Sequence, residues 1–558
     1  MCGIFLYINK TGVITPSTQN KVRGVCEEFI NTRGPDFSEN IVGVNYISHQ
    51  SVLSLTTNKK SAANYRMNNR STLFVGEIFK FKHEDELDYV YESSPNKFDQ
   101  NDYDGFYASI WLDINQHKLD SIHLKTDPQG EKRLFYINNS KHLIISSVPG
   151  ALVPFLTDRR ISLPFFLRYL GGRHAISYDD SMFDEIRQIK GGCLYNASKH
   201  KEYEFNLGTK YSFSKWFEKD LPESQDKLKD LLDVRIKSTI ADFTDHSEKK
   251  DSAAVISGGV DSSLQSYYLS ESNLPKLKYF TIKFLNKDCA SSEISKFKDR
   301  IGLNSLNHFS YVMSPDDYFY YAKECLKVTA GVIPTHSMPS SMFLADKMKQ
   351  EGIRTFYSGE GADECFLGYQ TYDDQYNLRN NHSVYSKVID EFKEISGFNK
   401  AKDNALEVCS TNLSDRFSQK ELGIKASSFM DFFAQCRSVG FFSSDIGMSH
   451  YGLEGRTIFA RRDIVKLALG APPSILLKPS PKTLLKELYT EKLHNKPAKK
   501  VGFAGFPNEI SSKVSLPDLN HLESKYFQKV KPFYNIRDYE WKVINYKFFK
   551  FYFDTELY

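Results

Sequence analysis

Apolar residues along the chain fall into two rhythms. In the first part, short runs bounded by polar residues read as strands: Ile4-Phe5-Leu6-Tyr7, Leu73-Phe74-Val75, and Leu143-Ile144-Ile145-Ser146-Ser147. They are too short for helices and rich in residues that suit a pleated surface. After residue 227 the rhythm changes. Leu228–Thr244 carries apolar residues at near-helical spacing, and Ala253–Ile256, Tyr279–Phe284 and Thr355–Tyr357 read as strands. Ser291–Ile301, closed by Gly302, and the stretch from Met342 to Met348 read as helices, the methionines as core. Strands alternating with helices predict a parallel α/β sheet that binds ligands at the carboxyl ends of its strands. The polar stretch Lys215–Lys227 is the candidate linker.

Two of the predicted strands run directly into glycine-containing turns with chemistry in them. Ser257-Gly258-Gly259 follows the first, and Val260-Asp261-Ser262-Ser263-Leu264 opens a helix. Adjacent glycines let the chain turn sharply and bring its N–H groups close to a ligand. The helix N-terminus adds a favourable field for phosphate. A carboxylate at Asp261 belongs beside phosphate when Mg²⁺ sits between them. The second turn is Ser358-Gly359-Glu360-Gly361-Ala362-Asp363-Glu364. Its carboxylates Glu360, Asp363 and Glu364 repel one another on bare protein, so Mg²⁺ or a cationic partner is expected among them. Near the start, Cys2 would become the N-terminal residue if Met1 were removed. Its α-amine could then act as base for its own thiol.

Composition narrows the function classes. With 558 residues there is chain enough for two to four domains. A formal net charge of +4 without a long basic run gives no reason to expect nucleic acid as partner. No apolar run approaches the ~20 residues of a membrane helix, and the N-terminus lacks the features of a signal peptide, so a cytoplasmic setting is expected. The 8 cysteines are scattered without a CxxC pair, which argues against zinc and a disulfide framework. The 42 Phe and 33 Tyr are spread along the chain as core, and the aromatic tail Phe527–Tyr558 reads as packing or interface.

Ser-Gly-Gly-x-Asp-Ser resembles the pyrophosphate loop of ATP pyrophosphatases, which cleave ATP between the α and β phosphates. Ser358–Glu364 is similar to the Ser-Gly-Glu-Gly-x-Asp-Glu signature of asparagine synthetases. Cys2-Gly3-Ile4, Arg33-Gly34-Pro35-Asp36, Gly76-Glu77, Asp104-Gly105-Phe106 and Asp127–Lys132 resemble, in order and spacing, the class II glutamine amidotransferase domain. Together they identify the chain as similar to glutamine-hydrolysing asparagine synthetases. The resemblance implies an α+β N-terminal-nucleophile domain of two stacked antiparallel sheets at 2–210, a linker at 211–227, and an α/β ATP-pyrophosphatase domain with a helical C-terminal part at 228–558.

It also implies roles. In the first domain Cys2 would be the nucleophile and the Gly76 N–H an oxyanion donor, with Arg33, Glu77 and Asp85 in the glutamine pocket. Ser257, Gly258, Gly259, Asp261, Ser262, Ser263, Ser358 and Gly359 would bind ATP, and Asp261 and Asp363 would hold Mg²⁺. Glu360 would be the base for the incoming amine. Lys500, in Lys499-Lys500-Val501-Gly502-Phe503, would neutralise charge on phosphorus. The implied ligands are ATP, Mg²⁺, a small carboxylate, and glutamine or ammonia, and the assembly allowed for is a homodimer.

The sequence departs from the family at three places. Val75 replaces the Asn that donates to the oxyanion, a loss worth roughly a hundred- to a thousandfold in rate. Ser51 replaces the Arg that clamps the glutamine carboxylate. Arg461 stands where an Asp is usual after Tyr451–Arg456. The departures at Val75 and Ser51 leave open a synthetase that closes an amide or lactam on an amine of its own substrate, with a degenerate glutaminase domain. A non-catalytic scaffold is the third reading. It fits poorly with two intact phosphate and metal motifs.

Overall fold

The computed structural model describes every residue except 1, 56–64, 68, 80–89, 91–92, 102, 172–179, 202, 210, 246–250, 273, 275–276, 286–306, 378–397, 495, 497–506, 556 and 558. The predicted helix Ser291–Ile301, Asp85 and Lys500 lie outside the described residues, and of Cys2 only the backbone is described.

The first half contains β1 (Cys2–Asn9), β2 (Phe37–Val42), β3 (Tyr46–Val52), β4 (Tyr65–Met67), β5 (Arg70–Ile78), β6 (Gly105–Asn115), β7 (Lys118–Thr126), β8 (Phe135–Asn138), β9 (His142–Ser146), β10 (Arg187–Gln188), β11 (Leu194–Ser198) and β12 (Asn206–Thr209). They form two six-stranded sheets, ordered β10-β8-β9-β1-β3-β2 and β12-β11-β7-β6-β5-β4. All the pairings between these strands are antiparallel. Alternate residues of each sheet meet in one core: Ile4, Leu6 and Ile8 from β1 against Leu73 and Val75 from β5 and Ile110 and Leu112 from β6. Side chains that alternate along a strand make this face-to-face packing the natural way to bury both apolar faces. It is the layered antiparallel architecture expected for this half.

The packing explains both departures from the glutaminase pattern. Val75 belongs to the inter-sheet core and is 1% exposed, a position that asks for an apolar side chain. Ser51 is fully buried. Its Oγ accepts from Gly3 N at 3.1 Å and donates to Ile30 O at 2.6 Å, tying β1 to the end of the helical segment Cys26–Ile30.

The second half contains β13 (Ser252–Val255), β14 (Leu277–Phe284), β15 (His308–Met313), β16 (Thr355–Ser358) and β17 (Glu454–Thr457). These form a wholly parallel sheet in the order β15-β14-β13-β16-β17. The chain winds outward from β13 in one direction and then returns to its other side. β13 and β16 therefore flank the switch point, the place where an open α/β sheet leaves a crevice at its carboxyl edge. The helices Val260–Ser270 and Met338–Gln350 pack on the sheet, and Met342 and Met348 are fully buried. The expected helix at 228–244 runs Gln225–Asp245. Residues read as linker are built into the fold: Trp216 is fully buried and donates to Tyr211 Oη at 2.8 Å.

The halves share a hydrophobic core that also takes in the aromatic tail. In the C-terminal helix Ile536–Phe553, Asn545 donates to Ile333 O at 2.9 Å, and Lys542 donates to Tyr169 O at 2.6 Å. The helix thereby touches both halves.

One buried group gives a test of this packing. Lys425 is fully buried and donates to Ala468 O at 2.8 Å. Burial pushes its pKa down to about 7 from the ordinary 10.5. The unfolded chain therefore binds the extra proton between these values, and stability is lost as pH falls from about 10 toward 7. Lys425→Met should raise the unfolding midpoint at pH 7, with the gain shrinking toward pH 10. A gain that grew with pH would contradict this.

Candidate active site

The Ser-Gly-Gly turn leaves the carboxyl end of β13 and enters the helix Val260–Ser270. Gly258 adopts φ 77°, a left-handed conformation that favours glycine. Hydroxyls pin the turn. Ser257 N donates to Ser262 Oγ at 3.2 Å, the Oγ atoms of Ser257 and Ser262 lie 3.0 Å apart, and Ser262 Oγ donates to Gly259 O at 3.3 Å.

The acidic turn leaves the neighbouring strand β16, with Gly361 at φ 90°. The two turns touch where a Cβ at Gly359 would lie 3.2 Å from Asp261 Cβ, which explains a glycine at that point. Asp261 and Asp363 are thus brought to one spot from motifs about a hundred residues apart in sequence. Glu360 lies against Gly440, where a Cβ would overlap Glu360 Oε2. Glu364 is buried, and Tyr369 Oη donates to its Oε1 at 2.6 Å. Burial, with Asp363 and Glu360 nearby, pushes the Glu364 pKa up to about 8. At neutral pH the four acidic groups Asp261, Glu360, Asp363 and Glu364 therefore do not all carry charge.

The cationic partner expected in this cluster is Lys482. Its Nζ lies 2.5 Å from Asp261 Oδ2 and 2.7 Å from Asp363 Oδ1, with the lysine side chain only 7% exposed. Burial works against its charge, but the two carboxylates outweigh it and the net pKa shift is upward. Lys482 stands at φ 62° just before the helix Thr483–Leu493. That backbone conformation is uncommon for a residue with a Cβ and is a mark of functional sites. A Cβ at Gly368 would overlap both Asp363 Oδ1 and Lys482 Cε. Gly368→Ala is therefore expected to displace the ammonium and lower turnover on the order of a hundredfold, the scale of a 1 Å misplacement. Steady-state kinetics measures it, and unchanged turnover would remove Gly368 from the account.

The sequence reading did not single out Lys482. Its signal is the turn Lys478-Pro479-Ser480-Pro481-Lys482 immediately before a helix, a rigid frame for one lysine. Lys486, one turn on, donates to Ser480 Oγ at 2.9 Å and braces that turn.

Mg²⁺ fits what is present. Asp261 and Asp363 offer hard oxygen donors converging on one cation, and among the described residues no cluster of three or more His, Cys, Asp or Glu could hold a metal without further ligands. Mg²⁺ is commonly held by one or two carboxylates plus substrate phosphates.

The residues given to the glutamine pocket are disposed differently. Gly76 adopts φ 111°, and a Cβ there would overlap Phe106 O, so β5 requires glycine at that position. Glu77 is buried in an ion pair with Arg456 Nη2 at 2.8 Å. Arg33 is buried against Asp445, donating to its Oδ1 at 2.7 Å and its carbonyl at 2.6 Å. Both charges are therefore committed across the seam between the halves, and this geometry does not direct them to a glutamine molecule. Lys132 joins the same seam through Glu454 at 2.8 Å and Asp445 at 3.4 Å.

Comparison with known proteins bears on this arrangement. The family model for asparagine synthase matches residues 247–522, a span that contains both turns and Lys482. Those residues thus match an asparagine synthase domain. Glutamine-hydrolysing asparagine synthetase 1 of Bacillus subtilis (strain 168) is 22% identical over 404 residues, covering 68% of this chain and 60% of that protein. A Methanocaldococcus jannaschii protein, whose name marks the same assignment as provisional, is 23% identical over 312 residues, covering 54% of this chain and 51% of its own length. The chain thus matches a little more than half the length of these curated relatives. Among solved structures, the glutamine phosphoribosylpyrophosphate amidotransferase of B. subtilis with ADP and GMP overlaps 56% of this chain and 91% of its own, at 8% identity and a TM-score of 0.27. The likeness to asparagine synthase therefore rests on the second half, and the architecture of the first half on its own two sheets.

Proposed function

We propose that this protein is an ATP-dependent amide-forming ligase of asparagine synthase type. It adenylates a small carboxylate, releases pyrophosphate, and passes the acyl group to ammonia drawn from glutamine. The observation that carries the reading is the meeting of Asp261, Asp363 and Lys482 at the switch point of the parallel sheet. One ammonium and two carboxylates at the mouth of a glycine turn suit a triphosphate, which needs cations around it and N–H groups beneath it.

In this reading the N–H groups and hydroxyls of Ser257–Ser263, with Ser358 and Gly359, hold the phosphate chain. Mg²⁺ on Asp261 and Asp363 would supply charge neutralisation for the departing pyrophosphate. Lys482 keeps its proton, being held upward in pKa by both carboxylates, and offers a fixed positive charge where negative charge grows on phosphorus. Lys500, outside the described residues, would add a second cation at phosphorus, as the family resemblance implies. Glu360 takes the proton of the amine as it attacks the acyl carbon, and AMP leaves. Glutamine hydrolysis by Cys2 supplies the ammonia.

The test is pyrophosphate and AMP release from ATP and Mg²⁺ with aspartate and then with a panel of other carboxylates, each with glutamine, with an ammonium salt, and with no nitrogen source. Carboxylate-dependent release in equal amounts of AMP and pyrophosphate supports the reading. A folded protein that releases neither product with any carboxylate would overturn it.

A further inference from the structure

A cavity of about 270 Å3 lies at the seam between the halves. One wall is a face of the helix Gln225–Asp245, on which Leu231, Val234, Ser238 and Asp242 follow one another at helical spacing. The opposite wall is Phe79 and Asp104, from the ends of β5 and β6, together with Arg461 and Asp463. Asp242 and Asp463 are exposed at the rim, whereas Arg461 is 3% exposed. Arg235, the other cation of the lining, is neutralised by a paired contact with Glu218, 2.7 Å at each nitrogen. The cavity thus has an acidic rim and, at its floor, the guanidinium of Arg461, which is paired with Glu131 on one side only.

The floor is incompletely satisfied. Arg461 Nη2 pairs with Glu131, and its Nε donates to Thr457 O at 3.2 Å. Its Nη1 makes no hydrogen bond among the described residues, and Asp104 Oδ1 stands 3.9 Å away. Phe79 and Phe106 flank the guanidinium, with centroids 5.3 and 5.4 Å from it. A buried guanidinium N–H without an acceptor is costly, and a ligand carboxylate oxygen supplies the missing acceptor to Nη1. Asp104, Asp242 and Asp463 meanwhile suit an ammonium. The volume equals the share of about nine liquid waters at ~30 Å3 each, which is room for a short organic molecule.

We propose that this cavity binds a small zwitterion, an α-amino acid, with its carboxylate toward Arg461 and its ammonium toward the acidic rim. Both halves line the site, so its occupant bridges them. It is separate from the Asp261–Asp363–Lys482 cluster, and its existence does not depend on the ligase reading.

Calorimetric titration of the full chain without ATP tests it, using glycine, L-aspartate, L-asparagine, L-glutamate and L-glutamine in turn, with acetate and methylammonium as half-ligands. At least one amino acid should bind with one-to-one stoichiometry, and the half-ligands at least tenfold more weakly. Ser238→Trp fills the cavity from an exposed helix position and should weaken binding at least tenfold. Asp242→Asn should weaken it severalfold. Both variants should leave pyrophosphate release without added effector unchanged. Binding should persist in Asp261→Asn, so failure of the ligase reading would not remove it. Absence of saturable binding by every amino acid, or binding equal in wild type and Ser238→Trp, would overturn the proposal.

Discussion

Lys482→Met is expected to lower pyrophosphate release by at least about a hundredfold, the usual effect of removing one preorganised charge-stabilising donor. The ammonium holds Asp261 and Asp363 together at 2.5 and 2.7 Å. Without it, two carboxylates face each other at a distance where like charges cost about 4 kcal/mol at an effective dielectric of 20. ATP would add further negative charge at the same spot, so its apparent affinity should fall as well. Both aspartates are partly exposed, so water can relieve the apo protein, and the fold should survive the change. Arginine should not rescue, because Gly368 packs directly on Lys482 Cε and leaves no room for a planar guanidinium. The measurement is pyrophosphate release at saturating ATP, with the thermal midpoint as a check on folding. A folded Lys482→Met protein that kept a third of the wild-type rate would remove Lys482 from the chemistry.

The sequence exposed half of this site plainly and half not at all. Ser257–Ser263 and Ser358–Glu364 are local motifs. Each carries its own glycines, and each follows an apolar run, so backbone need and chemistry are legible together. That Asp261 and Asp363 meet follows from strand order, which places β16 beside β13, and no local pattern states strand order. Lys482 belongs to a third segment and reaches the other two only through tertiary packing. A lysine in a proline-bounded turn reads as an ordinary surface residue until its ammonium is seen between two carboxylates. Val75 and Ser51 show the opposite difficulty. Comparison with a family pattern marks them as losses, but in the fold each has a definite structural task. Glu77 and Arg33 keep their identities and still point elsewhere, because Arg456 and Asp445 compete for them.

That competition sets the second large effect. Glu77→Gln and Arg456→Met should each lower stability by about 3–5 kcal/mol, the cost of leaving one partner of a buried ion pair uncompensated. Glu77 is 3% exposed and Arg456 fully buried. Burial pushes the Arg456 pKa down, but Glu77 and Tyr357 hold it above the ordinary value, so no accessible pH neutralises the pair by removing its proton. Arg456 also donates to Phe243 O at 2.8 Å, so its loss should be the larger of the two. The double variant Glu77→Gln, Arg456→Met should cost clearly less than the sum of the single changes, because neither side then leaves a bare charge. The first unfolding transition in urea reads this, since a chain with several domains need not unfold in one step. Additive single effects would mean that the two residues do not act as a pair. A coupled pair has a consequence for nitrogen supply. If Glu77 holds the α-amino end of glutamine, as the family resemblance implies, that ammonium would have to displace a guanidinium that never loses its charge, while Val75 offers no second donor to the oxyanion. Ammonium-supported turnover in the wild-type protein should therefore exceed glutamine-supported turnover at saturation, and equal rates would mean that Glu77 can be released from Arg456 at little cost.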